Sequence, residues 1–239
     1  MRSFVSGSTV AEFPRWVKPC RIENKVGTCY SEVMATHLLK RAPERSRPIL
    51  NPAPGVALAL ARLHEACGPA RYSFALWMAS QRPGPVFWIA PEWGASPLNA
   101  DGMARFVHPG RVIFITPRRP EDVLWCMEET LRAGQVPLVV ADLPGLPALT
   151  PVRRLHLAAE TGTRESGQAP LGLILTPGEG GAQGIESRWH MTPAHTAGAE
   201  GWRLTRLRAR TSPRQSWLLS GLPDKPRLSP TELHESLSA

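Results

Sequence analysis

Four short, almost continuous apolar runs punctuate the middle of the chain: VFWIA (86–90), VIFIT (112–116), PLVVA (137–141) and LGLILT (171–176). Apolarity without alternation marks strands covered on both faces, as in a parallel sheet between helix layers. ARLHEA, just before Gly68, is a fifth candidate strand. The segments between these runs carry helical periodicity instead. PEDVLWCMEETLRAG sets Leu124, Met127 and Leu131 on one stripe, with acids in its first turn, Arg132 in its last and Gly134 as a stop. TPVRRLHLAAETG offers Thr150 as N-cap, Pro151 at the first helical position, Leu155 and Ala158 facing inward, and Gly162 as the terminating glycine. Strands alternating with helices of this length predict βαβ units and a mostly parallel sheet flanked by helices, an α/β fold.

The pattern changes at both ends. After residue 177 a glycine-rich loop, TPGEGGAQG, leads into ESRWHMT, WRLTRLRAR and SWLLS, which read as short strands of a C-terminal antiparallel extension. Residues 221–239 are polar and proline-marked and read as a flexible tail. Residues 1–33 show neither alternation nor helical spacing, and a basic, proline-bearing stretch follows them. The expected organisation is therefore a basic N-terminal arm over 1–54, one α/β domain over 55–220, and the tail. Within the arm, residues 1–33 are either a disordered extension or the product of a mis-called translation start, with Met34 as the natural one. The 25 prolines, about twice the usual share, fall mainly in the connections and the tail.

A net charge of +8 points to an anionic partner, nucleic acid first, and says nothing about fold. Cys20, Cys29, Cys67 and Cys126 form no C-x-x-C pair, so neither a disulfide framework nor a metal site is expected, in keeping with a reducing cytoplasm. His156, His190 and His195 have no partner pattern for acid–base work. No apolar run approaches a membrane span and the N-terminus lacks a signal-peptide core, so a soluble cytoplasmic protein is expected.

HEACGPARYSFAL (64–76) sits where a phosphate-binding loop would sit, between a strand and a helix. The loop pattern G-x-x-x-x-G-K-[ST] uses glycines to let backbone N–H groups surround an anion, a lysine for the outer phosphates and a hydroxyl for magnesium. Counted from Gly68, the second glycine is Ser73, the lysine is Phe74 and the hydroxyl residue is Ala75. All three diagnostic positions are lost, so no nucleotide cofactor and no ATPase activity is expected. Phe74, Leu76, Trp77 and Met78 read instead as a buried helix face.

In order and spacing these pieces resemble the RecA-like fold, with Gly68 opening its phosphate loop. Glu92 then matches the acid that activates water in RecA, and Asp142 falls at or beside the magnesium-side aspartate; with the loop emptied, both are expected as relics or structural acids. More specifically, LHEACGP…FALWMA, VFWIAP, EDVLWCMEETLRAG, RRLHLAAETG, RWHM and WRLTRLRAR…SWLL are similar to the ImuA family, RecA- and SulA-related accessory proteins of damage-induced mutagenesis. The likeness covers roughly residues 55–220, and no motif in it is catalytic. It implies a non-catalytic factor of an error-prone translesion complex in the SOS response. Implied partners are the Y-family-like polymerase homologue ImuB, an error-prone C-family DNA polymerase and RecA. A SulA-like division inhibitor and a weak RecA-like ATPase are the alternatives.

Direct contact with single-stranded DNA is expected from Arg203, Arg206, Arg208 and Arg210 on WRLTRLRAR, with an edge strand guarded by charge as the competing reading. The pairs Arg118/Arg119 and Arg153/Arg154 read as solubilising charge. Trp77, Trp88 and Trp125 lie inside apolar runs and are expected in the core. Trp93 and Trp189 lie nearer loops and are candidates for a protein interface.

Overall fold

The computed structural model describes residues 47–92 and 98–231. The expectations for residues 1–33, and for Trp93, lie outside the described residues. Nine strands form one sheet in the order β11-β10-β9-β8-β3-β7-β6-β4-β5. Its parallel half comprises β3 (Arg62–Cys67), β4 (Val86–Ile89), β5 (Val112–Ile115), β6 (Leu138–Asp142) and β7 (Leu171–Leu175). These are the five strands read from the apolar runs. β8 (Ser187–Pro193) still runs parallel to β3, after which β9 (Gly201–Ala209), β10 (Gln215–Ser220) and β11 (Arg227–Thr231) continue antiparallel. The mixed α/β class with an antiparallel C-terminal extension is thus the observed one. Two strands fall outside the segment read as the α/β domain. β1 (Ile49–Ala53), which the sequence groups with the arm, forms a hairpin with β2 (Val56–Ala59), and β11 pairs with β10 inside the segment read as tail.

The sheet separates two cores. On one face lie α1 (Arg71–Ser80), the short α2 (Ala100–Ala104) and the β1–β2 hairpin, packed around Phe74, Trp77, Trp189, Trp202 and Trp217. On the other lie α3 (Pro120–Ala133) and α4 (Leu149–Ser166), contributing Val123, Met127, Leu131, Val152 and Leu155. Trp125, expected in the core, is 58% exposed. The inward stripe of α3 is Val123–Met127–Leu131, spaced by four, and a residue two places from Val123 points to the opposite side.

The expected helix ends hold for α3, whose Pro120 starts it and whose Gly134 closes it in the left-handed region at φ 66°. For α4 they shift. The helix begins after Ala148 rather than Thr150, and continues past Gly162 to Gly167, a C-cap at φ 74°. Gly162 is instead a crossing point, because a Cβ there would lie 2.1 Å from the Leu131 carbonyl oxygen. Ser166 Oγ sits on the crossing, 2.7 Å from Gly162 O and 3.0 Å from Gly134 O, with its single proton shared between the two carbonyls.

A polar chain is sealed into the aromatic core. Trp189 Nε1 donates to Ser187 Oγ at 2.7 Å, Ser187 Oγ donates to His64 Nδ1 at 2.7 Å, and His64 Nε2 donates to Ala59 O at 2.9 Å. That arrangement fits a neutral imidazole, and burial pushes the His64 pKa down to about 4.

Gly162→Ala is expected to destabilise the fold by more than about 3 kcal/mol in chemical denaturation, since two helix backbones must separate to admit the methyl. His64 makes stability depend on pH. Below pH ~6.5 the unfolded chain binds a proton that the folded chain refuses until about pH 4. Stability from this group is complete above pH ~6.5, falls by about 3 kcal/mol on acidification to pH ~4 and then levels. Denaturation midpoints of wild type and His64→Gln across that range check it, the variant giving the flatter profile.

Candidate functional site

Two places in the fold bear on function: the turn where a phosphate loop would lie, and a cleft beside α4.

The turn from β3 to α1 is only three residues, Gly68–Pro69–Ala70, because α1 already begins at Arg71. Gly68 adopts φ 87°, and a Cβ there would meet Met191 O at 2.6 Å and His190 Nε2 at 2.8 Å. The backbone donors of the turn itself are already used. Gly68 N–H donates to Gly178 O, Ala70 N–H to Met191 O and Arg71 N–H to Gly68 O, at 2.9, 2.9 and 3.2 Å, while Pro69 has no N–H. Phe74 and Ala75, at the lysine and hydroxyl positions, are completely buried. Phe74 stacks on Trp189 with ring centroids 6.0 Å apart.

Asp142, at the end of β6, meets a phenol: Tyr72 Oη donates to its Oδ2 at 2.7 Å. Burial raises the Asp142 pKa, with the Tyr72 bond and the Arg71 charge working against that rise. The Arg71 guanidinium lies 4.5 Å from the Tyr72 ring centroid and donates to Tyr72 Oη at 3.1 Å. Asp142 is therefore engaged by α1 side chains. Glu92 lies exposed beyond the end of β4. Cys67 is buried, and burial with the Glu65 charge beside it pushes its thiol up to about 12, far from a reactive thiolate. Among the described residues no cluster of three or more His, Cys, Asp or Glu side chains could hold a metal ion. No helix among them is long and apolar enough to cross a membrane.

The arginines expected to form one stripe on β9 divide. Arg206 is buried: its Nη1 donates to Gly55 O at 2.9 Å and its Nε to Pro213 O at 3.0 Å. Its guanidinium lies 5.7 Å from the Trp189 ring centroid and 5.2 Å from that of Trp217. It shares the sheet face of Trp202 and Leu204 and caps the aromatic stack, so it is not available to a phosphate. Trp189, read as an interface residue, is likewise completely buried, between Phe74 and Trp217. Both corrections have one cause, the two-residue period of β8 and β9, which aims Trp189, Met191, Trp202, Leu204 and Arg206 at the same core. Arg203 is exposed near the start of β9.

A bulge between Arg188 and Trp189 breaks that period and sets Arg208 opposite Arg188. Arg208 and Arg210 thereby line a cleft of about 520 Å³, with Arg153 and Leu157 of α4 also lining it. Arg62 lies in this cleft bridged to both of its acids, Glu160 and, at 3.6 Å, Glu186. His156 completes the lining. Its Nδ1 accepts from Leu63 N–H at 3.3 Å, its Nε2 donates to Gly184 O at 3.0 Å, and burial lowers its pKa, so the imidazole is neutral. Arg153 and Arg154, read together as solubilising, separate here: Arg154 bridges to Glu128 of α3 at 2.8 Å while Arg153 faces the cleft.

Glu65, which sequence reasoning passed over, holds the glycine-rich loop that leads into this cleft. Its carboxylate is fully buried on β3 and accepts from Thr176 Oγ1 at 2.6 Å, Gly181 N at 2.9 Å, Ala182 N at 3.2 Å and Arg188 Nε at 2.6 Å. A charged residue inside ARLHEA, otherwise a fully buried strand, was the available signal.

No family model matches the chain, and no curated protein matches it. Among solved structures it is similar to the crystal structure of SulA from Pseudomonas aeruginosa, at 21% identity and a TM-score of 0.39, over 48% of this chain and 98% of that one.

Glu65→Gln keeps the shape of the clamp but removes the charge facing Arg188 and turns an amide N–H₂ toward existing donors. A loss of about 3 kcal/mol or more is expected in denaturant titration.

Proposed function

We propose that this protein is a non-catalytic accessory factor of the DNA-damage response that joins an error-prone translesion polymerase assembly to DNA or to RecA. The observation that carries this reading is the closed β3–α1 turn, whose backbone donors are spent within the fold and whose lysine position is a buried phenylalanine. A RecA-like scaffold in that state has no means to gate nucleotide chemistry and works through its surfaces. The net charge of +8 supports contact with an anionic partner. The likeness of RWHM, EDVLWCMEETLRAG and the other quoted segments to the ImuA family supports the choice of complex, with the Y-family-like homologue ImuB and an error-prone C-family polymerase as partners.

Purification of the tagged protein from DNA-damaged cells tests this directly. The expected result is enrichment of a Y-family-like polymerase homologue, undiminished when ATP is depleted and magnesium chelated. Recovery of a tubulin-like division protein in its place, or dependence of the complex on nucleotide, would contradict it.

A further inference from the structure

We propose that the cleft between α4 and the end of β9 is a binding site for the phosphodiester backbone of a single-stranded nucleic acid, held by Arg153, Arg208 and Arg210. This deepens the DNA-contact part of the function proposed above and rests on that reading for its choice of ligand.

The fold satisfies its other arginines with acids in this region. Arg62 takes Glu160 and Glu186, Arg154 takes Glu128, and Arg188 takes Glu65. Both carboxylates lining the cleft are thus engaged by Arg62, and the one histidine there is held neutral by its two backbone bonds. Arg153, Arg208 and Arg210 converge on the same volume with no acidic partner among the described residues. Three guanidiniums facing one cleft repel each other, and a bound anion relieves that repulsion. Guanidinium groups match the geometry of phosphate oxygens, which they can bind in bidentate fashion.

The shape and the apolar lining narrow the ligand. A volume of about 520 Å³ suits a nucleotide-sized group and excludes a duplex from entering. Leu157 lines the cleft while 62% exposed, giving an unstacked base an apolar surface beside the arginines. An acidic peptide would use the charges but leave that surface unfilled. The site is also fixed in place: the Arg188/Trp189 bulge turns Arg208 into it, and the Glu65 clamp holds the loop that reaches its wall at Gly184.

The test is fluorescence anisotropy of a labelled oligothymidylate titrated with the full-length protein over a range of salt. The triple variant Arg153→Ala, Arg208→Ala, Arg210→Ala changes exposed side chains, and its thermal melt verifies folding. It is expected to bind about a hundred-fold more weakly at low salt, with the slope of log K against log salt reduced by about 2. Arg203→Ala, on the same strand but outside the cleft, is expected to leave both unchanged, and polyglutamate of equal charge to compete poorly. Unchanged binding by the folded triple variant overturns the site, as does an equal loss in Arg203→Ala. Displacement by polyglutamate as readily as by unlabelled oligothymidylate overturns its assignment to nucleic acid. Wild-type protein that binds no oligothymidylate, yet co-purifies with the polymerase homologue, overturns the cleft and leaves the accessory role standing. Cleft-dependent strand binding without that partner supports the site and contradicts the complex.

Discussion

Phe74 lies against Trp189, and that stack decides what the turn ahead of it can hold. A side chain at this position can reach a phosphate only if the helix starts late enough to leave an open loop. Here α1 starts at Arg71, which winds Phe74 inward onto an aromatic ladder continued by Trp217 and capped by Arg206. Aromatic groups of this size dominate the energetics of a core. Reopening the loop would unwind the first turn of α1 and expose them. The closed turn and the packed core are therefore one feature viewed from two sides.

The same economy governs the charged groups. Glu65 and Arg188 lie opposite each other across β3 and β8, and the carboxylate also gathers two N–H groups of the glycine-rich loop. Arg62 engages both acids of the neighbouring cleft. These pairings leave Arg153, Arg208 and Arg210 as the cleft arginines without an acidic partner among the described residues. Among the described residues no helix follows α4 in the chain, and β9 lends Arg208 to the cleft beside it, with Arg210 just beyond the strand.

Much of this architecture was legible in the chain. PLVVA and LGLILT are buried strands and VFWIA nearly so, as their continuous apolarity implied, and Phe74, Leu76, Trp77 and Met78 form the buried helix face read from the chain. VIFIT departs, because β5 is the edge of the sheet and leaves Ile113 and Phe114 exposed. Other features depended on partners remote in sequence. Gly162 looks like a helix stop until Leu131 is known to cross it. Arg206 looks like a phosphate ligand until Trp189 and Trp217 are found beneath it. Its parity with Trp202 and Leu204 was a signal that could have been read. The placement of Arg208 could not, because it follows from a bulge, and nothing local in WRLTRLRAR marks where the register shifts. The cleft shared by Arg153 and Arg210 joins residues far apart in the chain, so only the fold brings them together.

On the function proposed above, a β3–α1 turn closed to phosphate leaves this α/β protein its surfaces to work with. Thermal denaturation and phosphate release by the purified protein with Mg-ATP test it most directly. A ligand held at a hundred times its dissociation constant adds about 2.7 kcal/mol, or several degrees in Tm for a domain of this size. The prediction is no shift in Tm and no phosphate release above background. ATP turnover that is abolished by substitutions at Ser73, Phe74 and Ala75 would contradict the account.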